Sequence, residues 1–170
     1  MNILDLFELF DFFQRYVADT GSQLQLVLLG KAVMEIPQHP QIRALGFVSE
    51  TDKYAGLSGA ECLIMPSPYE SLSIVLLEAW MSNIPVLVTA TCDVLKAQTT
   101  RAQGGLWYKT YEEFKDGINT LIGDRQRADS MASSGRAYTE KTYKWSKIES
   151  DYLSLISKTE EAIPLVATPS

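Results

Sequence analysis

The feature that most constrains this chain is a run of short apolar segments, most of them ending in Gly, Pro or a small residue. They are "LQLVLLG" (24–30), "IRALGFV" (42–48), "AECLIMP" (60–66), "IPVLVTA" (84–90) and "GGLWY" (104–108). Such runs are too short for helices and read as buried strands. Helical spacing fills most of the chain between and after them, at 51–58, 71–83, 92–101, 110–123, 124–141 and 145–162. A further helix over 2–20 opens the chain, with Ile3, Leu6, Phe7, Phe10, Phe13 and Val17 on one face and Gly21 as the stop signal. Alternating strands and helices predict an α/β domain with a parallel sheet covered on both faces.

Composition sets the remaining bounds. The chain has 170 residues, 46% hydrophobic and 21% charged, which fits one domain over 1–162 with a real core and a frayed or extended tail over 163–170. The net charge of −6 and pI near 4.8 exclude the basic stripe that a nucleic-acid partner requires. Cys62 and Cys92 form no CxxC pair and read as ordinary buried thiols of a cytoplasmic protein. Ile74 to Met81, the longest apolar stretch, is too short to span a bilayer and is interrupted by Glu78.

That glutamate is the anomaly of the sequence. A buried carboxylate is costly unless it is paired or hydrogen-bonded, so Glu78 either points to water or serves a ligand. The segment "LIMPSPYES" runs from a strand through a Pro-flanked loop into a helix whose first turn is expected near Glu70 to Ser73. Ligands of open parallel sheets bind outside the carboxyl ends of the strands, where helix N-termini present free N–H groups. If Glu70 and Glu78 share that helix, they lie about 80° apart around its axis and about 12 Å apart along it. That is too far for one proton-transfer pair, and it suits the two ends of an extended ligand.

The stretch P-S-x-x-E-S-L-S-x-V-x-L-E-A over 66–79 resembles the Glu-x7-Glu motif of retaining GT-B glycosyltransferases, in particular the group 1, or family 4, branch. Two glutamates at this spacing are common by chance; the flanking strands in order make the likeness specific. The resemblance implies a Rossmann-like sheet of about five strands, the half of the enzyme that binds a nucleotide-diphosphate-sugar donor. A separate N-terminal domain, absent from this chain, would bind the acceptor. It further implies that Glu70 accepts hydrogen bonds from sugar hydroxyls. The amides of Ser71, Leu72 and Ser73 would hold sugar and phosphate oxygens, and Glu78 would hold the ribose hydroxyls. No metal and no organic cofactor are implied, and membrane association would arise only through the other domain.

Departures from the pattern matter as much. The family's first strand carries an Arg and, five residues on, a Lys that clamp the donor phosphates; this chain opens in the helix that follows. With that central strand absent, segments 24–30 and 60–66 are expected to pair directly into a five-stranded sheet, or a second chain fills the gap in a homodimer. The family's Gly-Gly-x-x-Glu loop is replaced by "TATCDVLK" (89–96). Asn83 stands where a positive φ is expected.

Blander readings compete. Lys31, after the strand-ending Gly30, could meet phosphate or simply be solvated, and Glu70 could be a first-turn dipole residue. Trp80 and Trp107 read as core, and Glu112 and Glu113 as a solvated face. The single histidine, His39, makes a hydrolase triad with Ser71 or Ser73 improbable. Two functions stay open: the donor domain of a hexosyltransferase, or a non-catalytic relic or scaffold of the same fold. A GT-B-like epimerase or phosphorylase fragment is a third option.

Overall fold

The computed structural model describes residues 3–32 and 34–162, so the tail at 163–170 lies outside the described residues. Seven helices and five strands are present among them: α1 (Ile3–Thr20), β1 (Leu26–Leu28), β2 (Ile42–Ala44), α2 (Glu50–Ser58), β3 (Leu63–Met65), α3 (Ile74–Met81), β4 (Val86–Thr89), α4 (Asp93–Ala102), β5 (Gly105–Tyr108), α5 (Tyr111–Gly123), α6 (Arg125–Thr142) and α7 (Trp145–Ala162). All strand pairs are parallel, as the alternation predicts.

The sheet departs from expectation in one respect. β1 pairs only with β2, and β3, β4 and β5 form a separate three-stranded sheet, so the direct pairing of segments 24–30 and 60–66 does not occur. Two plus three is what a 3-2-1-4-5-6 order leaves without its first strand, which alone joins the second to the fourth. A shared apolar layer holds the two blocks together. Leu6, Leu9, Phe10, Phe13 and Tyr16 of α1 pack with Leu26, Ile42, Leu87 and Tyr108, and with Phe114, Ile118 and Leu121 of α5.

The buried face of α1 is rotated from the one expected. Leu9 and Tyr16 are buried, whereas Phe7 is 53% exposed. Tyr16 and Tyr111 tie α1 to α5 by hydrogen bonds from their hydroxyls to Asn119 Oδ1 (3.0 Å) and Asp19 Oδ2 (2.6 Å). Glu113 does more than face water: it closes a capping box with Thr110 at the start of α5.

β4 is the central strand of its sheet and is buried on both faces. Alternation sends Leu87 to the α1/α5 layer and Val86 and Val88 to a second layer with Leu76, Ala79, Trp80 and Leu95. Trp80 is core, as expected, and its Nε1 donates to Gly104 O at 2.9 Å. Trp107 is not: it is 42% exposed, with the Lys96 ammonium 4.2 Å from its ring centroid. Asn83 takes the left-handed conformation predicted for it, with φ 58°. Cys92 is buried as expected, whereas Cys62 is only half-buried; burial around its sulfur pushes the Cys62 thiol up to about 12.

Candidate functional site

The carboxyl ends of β3 and β4 open onto a cleft of about 570 Å³ lined by Pro68, Tyr69, Glu70, Ser71, Thr91, Cys92, Asp93 and Val94. The start of α3 is not where the sequence suggests. The residues from Glu70 to Ser73 form a loop, Ser73 is the N-cap with φ −84° and ψ 100°, and the helix begins at Ile74. The cause is local. Pro66 and Pro68 hold their neighbours extended, Ser67 Oγ donates to Tyr69 O at 3.1 Å, and Ser71 and Ser73 favour caps and turns over helix interiors. The helical spacing between Glu70 and Glu78 therefore does not apply. Glu70 sits in the loop lining the cleft, while Glu78 sits one turn into α3.

Helix capping sets the two helices at this cleft apart. Side chains cap α2 (Ser49), α5 (Thr110) and α6 (Asp124), each accepting a backbone N–H in the first turn. The two helices at the cleft have no such bond: Ser73 and Cys92 occupy the N-cap positions of α3 and α4 without capping. Ser73 is only 3% exposed, and its Oγ has no partner among the described residues. Two helix starts whose N–H groups no side chain caps make a ready donor site for oxygen-rich or anionic groups.

Of the other site residues expected from the sequence, only Ser71 lines the cleft; Leu72, Ser73, Lys31 and Glu78 are not among its lining residues. Leu72 follows Ser71 in the loop, half exposed. Lys31 is exposed just past β1, behind Gly30 with φ 111°, at the same carboxyl end of the parallel strands. Glu78 is held by α2: its Oε1 accepts from Lys53 Nζ at 2.9 Å and from the Tyr54 hydroxyl at 3.5 Å. Lys53 also pairs with Glu50 Oε2 at 3.0 Å. Hydrogen bonds to Glu78 first and Glu50 second hold the Lys53 ammonium well above the usual lysine range.

Sequence reasoning missed Lys53, Tyr54 and Asp93. Nothing in the chain signals a pair twenty-five residues apart. Asp93 was within reach, because it falls in the loop that departs from the family pattern and occupies the first turn of α4. With Glu70 it makes the cleft doubly acidic, and no cation is among the lining residues.

Parallel strands covered by helices, with a cleft at their carboxyl ends and two uncapped helix starts beside it, define a Rossmann-like α/β domain. The family model of glycosyl transferases group 1 matches residues 5–138, and the chain belongs to that family. Solved structures agree on the fold, which is that of the Rossmann-like half of GT-B glycosyltransferases. The sucrose-phosphate synthase of Thermosynechococcus elongatus superposes with a TM-score of 0.71 at 19% identity, covering 89% of this chain and 42% of its own. HepE of Anabaena, solved in complex with UDP, gives 0.72 at 17% identity, covering 87% and 44%. The C-terminal domain of a group 1 family protein, LpcC of Francisella tularensis, gives 0.54 at 18% identity, covering 85% and 66%. The chain thus spans less than half the length of the first two. Among the described residues no helix is long and apolar enough to cross a membrane.

Proposed function

We propose that this chain is the donor-binding domain of a retaining glycosyltransferase that moves a hexosyl group from a nucleotide-diphosphate sugar to an acceptor. The observation that carries the reading is the cleft in which Glu70 and Ser71 meet the uncapped starts of α3 and α4. In this reading the amides of Ser71, Leu72 and Ser73, with those opening α3, receive the sugar and diphosphate oxygens. Glu70 accepts hydrogen bonds from sugar hydroxyls, and Glu78 takes the ribose. Charge-assisted bonds of this kind are about twice as strong as neutral ones. Lys31, exposed just past β1, is a candidate for a phosphate cation.

The acceptor is held by another domain in this reading. The exposed apolar residues Trp145, Tyr152, Leu155 and Ile156 of α7 offer a surface for it. The domain itself works in the cytoplasm, and any membrane association comes through that other domain.

One observation favours the rival scaffold reading: Glu70 and Asp93 line the cleft with no lining cation to offset them. Binding by the isolated chain is accordingly weak. Calorimetric titration with UDP and GDP separates the two readings. The donor-domain reading predicts millimolar or tighter binding of one nucleotide that weakens in Glu78→Gln. Equal binding by wild type and variant, or none at millimolar ligand, removes the ribose assignment.

A further inference from the structure

Glu78 does not stand alone, and the way it is held limits what it can accept. Its side chain is 19% exposed and that of Lys53 25%. Both donors that reach it, the Lys53 ammonium and the Tyr54 hydroxyl, go to the same oxygen, Oε1. No described residue donates to Oε2. A carboxylate oxygen has two lone-pair sites, so Oε1 is filled and Oε2 is open.

The holding group is itself well placed. α2 is fixed at its start by Ser49, whose Oγ accepts from Asp52 N at 3.1 Å and donates to Asp52 Oδ2 at 2.7 Å. Lys53 follows on the next residue, with Glu50 one turn back as a second countercharge at 3.0 Å. Its ammonium also lies 4.8 Å from the centroid of the Tyr54 ring. Two contacts besides the one to Glu78 therefore hold the ammonium where it meets Oε1.

From this geometry we infer that Lys53 is a positioning residue for nucleoside recognition, holding Glu78 so that Oε2 alone is presented to a ribose. The inference rests on the reading of Glu78 as the ribose acceptor and makes it more specific. A carboxylate free to use both oxygens would grip two vicinal hydroxyls alike. One offering a single oxygen depends chiefly on one of them. The pair thus sets which hydroxyl of the nucleoside is read.

The test is calorimetric titration of the whole chain with UDP, 2′-deoxy-UDP and 3′-deoxy-UDP, run on wild type, Lys53→Met, Lys53→Arg and Glu78→Gln. Thermal unfolding of each variant reports separately on folding. Wild type should lose about tenfold in affinity for one deoxy analogue and little for the other, the size of effect expected for one charge-assisted hydrogen bond. Lys53→Met should bind UDP more weakly and lose that asymmetry, and Lys53→Arg should restore it. Unchanged asymmetry in Lys53→Met, with or without a lowered melting temperature, makes the lysine merely structural and overturns the inference. Tighter UDP binding in Lys53→Met makes it a competitor of the nucleotide and overturns it as well. If instead Glu78→Gln leaves the asymmetry intact, or wild type binds neither UDP nor GDP at millimolar concentration, the ribose reading of Glu78 fails first; a wild type that binds GDP alone takes the same test with the deoxy analogues of GDP.

Discussion

Gly135 of α6 lies against the indole of Trp80 so closely that a Cβ at that position would overlap the ring, and Gly104 presses on the same ring near Nε1. Trp80 sits two residues beyond Glu78, so this contact seats the helix that carries Glu78. Gly135→Ala and Gly104→Ala should each destabilise the fold by about 1–3 kcal/mol, the usual penalty for overpacking a filled core. Gly56→Ala is the control, because a Cβ there meets nothing within 4 Å and α2 gains helix propensity. Chemical denaturation of the three variants checks this. Equal stability in all three would mean that α3 and α6 are not in contact as described.

The link between α1 and α5 should carry a pH signature. The Tyr111 hydrogen bond, with the Lys115 and Arg15 charges, holds the Asp19 carboxyl below its ordinary 3.8 despite desolvation. Its contribution is therefore present above that value and lost as pH falls through the lower folded value. Burial first, and the Asp19 hydrogen bond second, push the Tyr111 hydroxyl up to about 12. That contribution is present below about 10 and lost as pH rises through about 12. The stability difference between wild type and Tyr111→Phe should be flat from mild acid to mild base and shrink at both extremes. A difference independent of pH would remove the link.

The split sheet makes a prediction for hydrogen exchange. In β1, Leu26 N–H bonds Gln41 O and Leu28 O accepts from Leu45 N–H, so the alternate residue Val27 turns its backbone groups away from β2. Its amide, and that of Leu29, should exchange at least about tenfold faster than those of Val86, Leu87 and Val88 in the central strand β4. Equal protection would mean that the edge is covered in solution. Sedimentation would then show whether a second copy of the chain covers it.

Turnover depends on positioning two reactants, which is worth about 7–11 kcal/mol in favourable cases. A domain that holds only the donor cannot supply this. The chain alone should transfer no labelled hexose from UDP- or GDP-sugars to added acceptors. Transfer at ordinary enzymatic rates would contradict the two-domain reading.

Much of the fold was legible because it depends on local pattern. The five apolar runs became the five strands, and the helical spacings became helices with ends within about three residues. Where the sequence misled, the deciding contacts were distant or concerned local chain stiffness. The runs shortened to three or four residues because a strand extends only as far as its partner does. Segments 24–30 and 60–66 stayed apart because no ladder joins them, which periodicity does not report. Phe7 turned outward although its spacing fits the apolar face. The start of α3 moved to Ile74 because Pro66, Pro68 and two serines outweigh the helical pattern that follows. Glu78 was visible as an anomaly, but Lys53, which answers its charge, lies on another helix.

The most direct measurement is amide chemical-shift mapping of the labelled chain during addition of UDP. The shifts should concentrate in Glu70, Ser71, Ser73, Ile74 and Val75 and in Thr91 to Val94, spread to Glu78, and saturate at millimolar nucleotide. The second cavity, of about 510 Å³ around Asp124, Arg127 and Ser130 at the start of α6, should stay unmoved. Shifts confined to that cavity, or absent from both helix starts at saturation, would contradict the assignment of the β3–α3 cleft as the nucleotide-sugar site.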